Sequence, residues 1–364
     1  MSTLNAWERW FPILSWGPRY NHTEMMADGV AAGVVTLMLI PQSLAYALLA
    51  GLPPQAGLYA SMAPLVLYAL MGSSGALAVG PAAVTSLMTA ASVGVIAAQG
   101  SVAYTEAALM LALVSGSLML VMGALQLGFL AHFLSHPVIS GFVSASGLLI
   151  AASQLKHLLG VSLQGETLLQ LFSNLFQQLP HVHWPTVFMG VGALSLLALA
   201  RKQLKPALKR WGVAAGTADV LSKAAPVAVL SLSIALAAGL QLADQGVRVV
   251  GAVPQGLPPL ALPSLSTDSW ALAQALWVPA LLISLVGFVE SVSVGQSLAA
   301  KRRERIDPDA ELRALGLSNL GAGLSGGFPV TGGFSRSVVN FDAGRALQPQ
   351  AFSLLWAWRW RRCF

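Results

Sequence analysis

Two stretches decide the reading of this chain: GALAVGPAAVTSLM, Gly75 to Met88, and SGGFPVTGGFSRSVV, Ser325 to Val339. Each is a Gly/Pro-containing approach that runs directly into a helical pattern. Gly80-Pro81 opens a segment that continues to Ala98, short and rich in small residues, the marks of a half-helix preceded by extended chain. A second echo lies outside the first: IPQSLAYALLAG (Ile40 to Gly51) and VESVSVGQSLAAK (Val289 to Lys301) close two further helical patterns. Paired interruptions at matching places divide the chain into two repeats with an odd number of helices each. An odd number of membrane crossings forces the second repeat to be inverted relative to the first.

The composition sets the solvent. The 364 residues are 55% hydrophobic and 9% charged, with a mean hydropathy of +0.69, whereas an ordinary soluble domain carries about 25% charged residues. So few charges cannot cover a water-facing surface, which excludes a soluble globular protein. The chain reads as an all-α polytopic protein of the inner (plasma) membrane, with the lipid bilayer as its first partner. Thirty-five Gly and 20 Pro argue for broken helices over a simple bundle. Twenty Lys and Arg against 14 Asp and Glu give a net charge of +6 and a pI near 9.8. In this setting that excess reads as basic cytoplasmic loops, with no nucleic acid implied. A single cysteine, Cys363, rules out a disulfide framework and a thiolate metal cage. Met1 to Tyr20 contains Glu8, Arg9, Pro12 and Pro18 and no apolar core of a signal peptide, so residues 1–23 read as a cytoplasmic segment.

Spans of roughly 20 apolar residues, shorter where a helix is broken, are predicted at about 27–50, 57–71, 81–98, 105–127, 137–158, 185–200, 223–242, 277–299 and 311–325, with a tenth beginning near Phe334. Half-helices fall at the third and tenth positions. Leu168 to Leu179 reads as an interfacial amphipathic piece and Pro254 to Pro263 as an extended external loop. The basic runs Arg201, Lys202, Lys205, Lys209, Arg210 and Lys301, Arg302, Arg303, Arg305 follow the sixth and eighth spans. Both are cytoplasmic by the positive-inside rule, and parity then puts the N-terminus inside. These runs orient the protein and bind no specific ligand.

Two half-helix N-termini facing one another would bring two positive dipole ends together, with backbone N–H groups of Ala82, Ala83, Val84 and of Phe334 to Arg336 at a common point. That favours a small anion, more so with Arg336 beside it, because a guanidinium at membrane depth is costly unless it meets an anion or carboxylate. The bland alternative is an Arg336 that snorkels to an interface. Glu290 is the other outlier, a carboxylate in the otherwise uncharged stretch Leu281 to Ala300. It suits a proton or sodium coupling site, the alternative being a structural carboxylate paired with Arg336. Ser291, Ser293 and Gln296 share its helix, and Gln42 and Tyr46 follow Pro41 in the first span. Each alone fits helix-packing glue as well as a ligand contact.

Other motifs carry no chemistry. Gly321-Ala-Gly323-Leu-Ser-Gly326 matches G-x-G-x-x-G without a βαβ unit, so small-residue packing explains it. His132 and His136 are spaced i, i+4 without a third ligand and read as interfacial, as do His181 and His183. No nucleophile elbow, zinc-protease motif or Walker loop is present, so neither an enzyme nor a cofactor is indicated.

PQSLAYALLAGLPPQAGLYAS (Pro41 to Ser61), GFVESVSVGQSLAAK (Gly287 to Lys301) and ELRALGLSNLGAGLSGGFPVTGGFSRSVVN (Glu311 to Asn340) together resemble the sulfate permease (SulP) family of anion transporters. The resemblance implies a seven-plus-seven inverted-repeat transporter fold with core and gate parts, elevator-like alternating access, a cytoplasmic STAS domain and a homodimer. By motif position it implies that Gln42 and Tyr46 line the substrate site with the helix N-termini at Ala83 and Val84. Ser335 and Arg336 would contact the anion, and Glu290 would take the place linked to cation coupling. After Asn340 the pattern departs: FDAGRALQPQAFSLLWAWRWRRCF does not read as further spans. Residues 24–343 are therefore expected to form a transporter domain with an incomplete second repeat, and 344–364 an aberrant tail without the STAS domain, as a frameshift or truncation near Gly344 would leave.

The sequence thus predicts secondary transport of an inorganic or small organic anion, sulfate first and bicarbonate or a dicarboxylate next, coupled to a proton or sodium ion. Two alternatives are an inactive membrane fragment and a nucleobase permease of the same fold. The latter sites use acidic residues on the eighth and tenth helices, whereas this tenth helix offers a cation.

Overall fold

The structure is a computed structural model that describes residues 12–19, 21–132, 144, 148, 151–152, 154–161, 168–247, 249 and 267–343. Most of the fifth predicted span, the Pro254–Pro263 loop, His136 and the 344–364 tail lie outside the described residues. The chain divides into two compact units, residues 1–139 with 253–364, and residues 140–252.

After a single helical turn (Ile13–Trp16) and a 3-10 turn (Gly17–Arg19), the first unit runs into α1 (His22–Leu49), which keeps Pro41 inside the helix, followed by α2 (Pro54–Met71). Pro54 stands in the first turn of α2, where its missing N–H costs nothing. Instead of a third long helix, the chain then runs extended through a two-residue strand, β1 (Val79–Gly80), into the 12-residue α3 (Ala83–Gly94). The α4 helix (Val102–Ala124) is capped by Ser101, whose hydroxyl accepts the Tyr104 N–H at 3.1 Å.

After α8 (Thr267–Ala275), the 26-residue α9 (Trp277–Arg302) ends on Arg303 in the left-handed conformation. Asp307 caps α10 (Pro308–Leu324) by accepting the Asp309 N–H at 3.0 Å, with Pro308 in its first turn. Gly326 turns the chain at φ +80° into a second extended stretch, β2 (Thr331–Gly332), which leads into α11 (Phe334–Ala343). The two strands pair antiparallel, Val79 opposite Gly332 and Gly80 opposite Thr331. Both predicted interruptions are therefore real, and they meet.

Small residues let α10 sit directly on α4. A Cβ on Gly116 would lie 2.7 Å from the Gly316 carbonyl oxygen, and one on Gly316 2.7 Å from the Leu120 nitrogen. Backbone faces backbone there, the close approach that membrane bundles use in place of a hydrophobic driving force. In the GxGxxG stretch, a Cβ at Gly321 would strike Leu67 and one at Gly323 would strike Leu113, in accord with its packing reading. Hydroxyl pairs complete the joints. Ser43 and Ser61 are 2.6 Å apart between α1 and α2, and Ser284 donates to the Ser115 carbonyl at 3.1 Å between α9 and α4.

Three of the described helices are long and apolar enough to cross a membrane by themselves: Val102–Ala124, Trp184–Arg210 and Trp277–Arg302. Several other predicted spans are shorter or broken, as half-helices of 12 and 10 residues must be. Segments of that kind are tolerated at membrane depth where protein surrounds the interrupted backbone.

In the second unit α5 (Leu168–Gln178) is the expected amphipathic helix, and α6 (Trp184–Leu199) packs on α7 (Ala215–Gly239). His183 joins the Thr186 hydroxyl and the Gln245 carbonyl, each at 2.8 Å. The basic run after the sixth span corrects an expectation. It is helix and not loop, because α6 continues through a π turn (Ala200–Leu204) and six further helical residues (Lys205–Arg210). The wider turn admits Pro206, whose ring would clash with the carbonyl four residues back in an unbroken α-helix.

Candidate functional site

The strand crossing gathers the polar residues of the first unit. Extended backbone inside an apolar bundle must find hydrogen-bond partners within the protein, and side chains of the helices supply them. Along the first arm, Gly72 to Ala82, the Ser74 hydroxyl accepts from the Leu77 N–H at 3.2 Å, and Asn340 donates to the Ala76 carbonyl at 3.0 Å. The Ser337 hydroxyl accepts from the Ala78 N–H at 3.0 Å, and the Gly333 N–H donates to the Ala78 carbonyl at 3.1 Å.

Along the second arm, Ser325 to Gly333, the Asn319 amide accepts the Val330 N–H and donates to the Val330 carbonyl, both at 2.9 Å. Ser291 of α9 accepts the Gly332 N–H at 2.9 Å and stands 2.8 Å from the Thr331 hydroxyl. Among the residues the sequence singled out, Ser291 thus serves the backbone of the arm. Asn319, Ser337 and Asn340, which sequence reasoning passes over, do the same work.

Arg336 stands at the crossing with 2% of its surface exposed. Its Nη1 donates to the Pro81 carbonyl at 2.5 Å, tying the start of α11 to the start of α3. Its Nε and Nη2 are buried and have no hydrogen-bond partner. Two glycines make room for it: a Cβ on Gly333 would lie 2.9 Å from Nη2, and one on Gly80 3.4 Å from it. The Glu290 Oε2 is likewise buried without a partner, and its carboxylate lies within electrostatic range of the same guanidinium.

Of the predicted site residues, Tyr46 and Glu290 therefore lie in the neighbourhood of Arg336. Ala83 and Val84 form the first turn of α3, which has no side-chain cap, so their N–H groups have no intrahelical acceptor. Gln42 is half-buried one turn beyond Leu39, whose side chain borders Gly80. Ser335 lies in the first turn of α11 with its side chain exposed. Among the described residues, no group of three or more His, Cys, Asp or Glu is placed to hold a metal ion.

Chemically, this is a buried polar crossing with positive character. It combines two helix N-termini from opposed arms, a guanidinium with N–H groups to spare, and a carboxylate in range of it. Broken helices crossing inside a multi-pass membrane bundle define a transporter fold. The same fold is found in a solved structure of the murine Slc26a9 anion transporter in its inward-facing state, at TM-score 0.84 and 23% identity over 100% of this chain and 61% of that one. It recurs in the transmembrane domain of a cyanobacterial bicarbonate transporter, BicA, at TM-score 0.75 and 20% identity, covering 92% of this chain and 82% of that one.

The chain belongs to the sulfate permease family, whose pattern matches residues 25–348. It is 36% identical over 346 residues to a probable sulfate transporter of Mycobacterium tuberculosis, and 37% identical over 335 residues to the chloroplastic sulfate transporter 4.1 of Arabidopsis thaliana. These alignments take in 95% and 92% of this chain but 58% and 47% of the relatives, so the chain spans about half the length of the curated proteins it matches.

Proposed function

We propose that this chain binds a small oxyanion at the strand crossing, sulfate first, and belongs to the machinery of a secondary anion carrier that works by alternating access. The observation that carries the reading is the pair of buried, unpartnered guanidinium nitrogens of Arg336, at the start of α11 and beside the uncapped start of α3. An unpaired buried cation is costly, and an anion relieves that cost while also accepting the α3 N–H groups. The sulfate transporters among its relatives support the choice of sulfate, and BicA keeps bicarbonate as the next substrate to try.

Glu290 is the coupling group in this reading. Its unpartnered oxygen offers a place for a proton or a sodium ion, and neutralising it changes the field at Arg336, so cation and anion binding are linked. In this reading the carrier works in the plasma membrane as a homodimer with its N-terminus cytoplasmic, an orientation that the basic runs support. The division of the chain into two compact units supports a core part and a gate part.

The test is equilibrium binding of radiolabelled sulfate to the purified chain in detergent. Saturable binding is expected, competed by excess cold sulfate and lost in Arg336→Ala. Wild-type affinity in that variant refutes the assigned role.

A further inference from the structure

We propose that Glu311 is a positioning residue for this site: from α10 it fixes the start of the first arm, and through that arm the aim of the α3 N-terminus and the Pro81 carbonyl that anchors Arg336. The inference rests on the anion-site reading and adds a residue that touches neither anion nor coupling ion.

Glu311 is 1% exposed. Its Oε2 accepts from the Tyr68 hydroxyl at 2.8 Å, and its Oε1 accepts from the Ser73 N–H at 2.9 Å, the Ser73 hydroxyl at 2.7 Å and the Ser74 N–H at 3.0 Å. Tyr68 lies in the last turn of α2, and Ser73 and Ser74 follow directly after the helix ends at Gly72. One carboxylate therefore grips the point where helix becomes extended chain. An ionised carboxylate is acceptor-only, with roughly four lone-pair sites, and all the donors that converge on it are accepted.

The grip is passed along the arm. Ser74, held through its N–H, turns its hydroxyl toward the Leu77 N–H, and the hydrogen bonds at Ala76, Ala78 and Pro81 follow in sequence. On its other side the start of the arm borders a cavity lined by Ser73, Ser74, Ala76, Arg302 and Phe341. Glu311 is thus the fixed support on the protein side. Asn319, which clamps Val330 of the second arm, lies eight residues further along the same helix, about 12 Å at 1.5 Å per residue. A single rigid helix therefore holds the start of one arm and the middle of the other, and its length sets their relative placement.

The experiment compares wild type, Glu311→Gln and Tyr68→Phe as the full chain in detergent, reading sulfate affinity, thermal unfolding and amide hydrogen exchange. Gln keeps the size of Glu but replaces one acceptor oxygen with a donor, so at least one converging N–H or O–H loses its partner. Affinity is expected to fall by about tenfold in Glu311→Gln and by less in Tyr68→Phe, which removes one donor and leaves the carboxylate bound to Ser73 and Ser74. Exchange is expected to rise over residues 73–82 while α4 and α9 keep their protection. Unchanged affinity together with unchanged exchange over 73–82 overturns the proposal. So does a loss of protection spread evenly over all helices, the mark of a merely structural residue. If wild type binds no sulfate, the anion-site reading fails, and the exchange pattern still decides whether Glu311 positions the arm. If Glu311→Gln does not fold, Tyr68→Phe carries the same two readouts.

Discussion

Replacing Asn319 by Ala tests whether side chains truly substitute for helix in holding the arms. Asn319 is fully buried, accepts the Val330 N–H and donates to the Val330 carbonyl, both at 2.9 Å, and also bonds the Leu315 carbonyl of its own helix. Ala deletes both bonds to Val330, itself fully buried, and leaves a backbone donor and a backbone acceptor unpaired. Each orphaned group costs about 1–3 kcal/mol, so the pair costs about 2–6 kcal/mol before any cavity term. At about 2–4 °C per kcal/mol, the slope for domains of about 150–250 residues, the melting temperature should fall by about 4 °C or more. The assay is thermal unfolding in detergent followed by tryptophan fluorescence, with Ser117→Ala as the control. Ser117 is exposed on α4 and bonds only within its helix, so that change should stay within about 0.5 kcal/mol. An Asn319→Ala melting curve that overlays the Ser117→Ala curve refutes the idea that side chains hold the arms.

Three further outcomes are expected. In Gly333→Ala the new Cβ would lie 2.9 Å from Arg336 Nη2, the far end of a flexible side chain, so the guanidinium moves while the fold survives. Losing about 1–2 kcal/mol of charge-assisted hydrogen bonding, roughly 5- to 30-fold in sulfate affinity with little change in melting temperature, is the expected result. Gly316→Val puts a branched side chain where the Leu120 nitrogen and Gly116 carbonyl stand 2.7 and 2.8 Å from a Cβ, and neither backbone atom can step aside. It should cost at least about 1–3 kcal/mol or prevent recovery of folded chain on size-exclusion chromatography. Glu290→Gln should make sulfate binding insensitive to sodium and to pH, and a retained dependence removes Glu290 from the coupling role.

The interruptions are legible because Gly and Pro clustered within an apolar run break a helix where the hydropathy alone would continue it, and Gly80-Pro81 and Gly332-Gly333 fall within a few residues of the observed strands and helix starts. Arg336 and Glu290 stand out as charges where charge is costly. The arm-holding residues do not stand out. Asn319, Ser337 and Asn340 bind backbone groups up to 264 positions away, and a lone Asn or Ser in a small-residue helix reads as ordinary packing glue. Glu311 reads in the sequence as no more than the first letter of a motif. Yet Glu311 and Asn319 lie eight apart in an otherwise mostly apolar helix, and that spacing marks them as one face serving a common purpose. The basic run after the sixth span reads as loop because the apolar run ends where the charges begin, whereas a π turn carries the helix on past Pro206.

The wiring of the arms bears on how one arginine can serve two helix starts at once. Antiparallel pairing of β1 with β2 forces the two helix starts, α3 and α11, to approach the crossing from opposed directions, and their partial positive charges repel. Side-chain bonds from α9, α10 and α11 hold the arms against that repulsion. Arg336 adds a third positive group and would worsen the repulsion if it only faced the crossing. Instead it commits one nitrogen to the Pro81 carbonyl, locking α11 to the approach of α3, and keeps Nε and Nη2 unpartnered. An anion at this point neutralises all three positive ends at once, so binding tightens the crossing as well as filling it. The bound chain should therefore melt higher than the free chain by the increment that its sulfate affinity sets through RT ln(1 + [L]/Kd), about 2.7 kcal/mol at a hundredfold excess over Kd. That increment should vanish in Arg336→Ala. Sulfate-dependent stabilisation that persists without the arginine places the anion elsewhere.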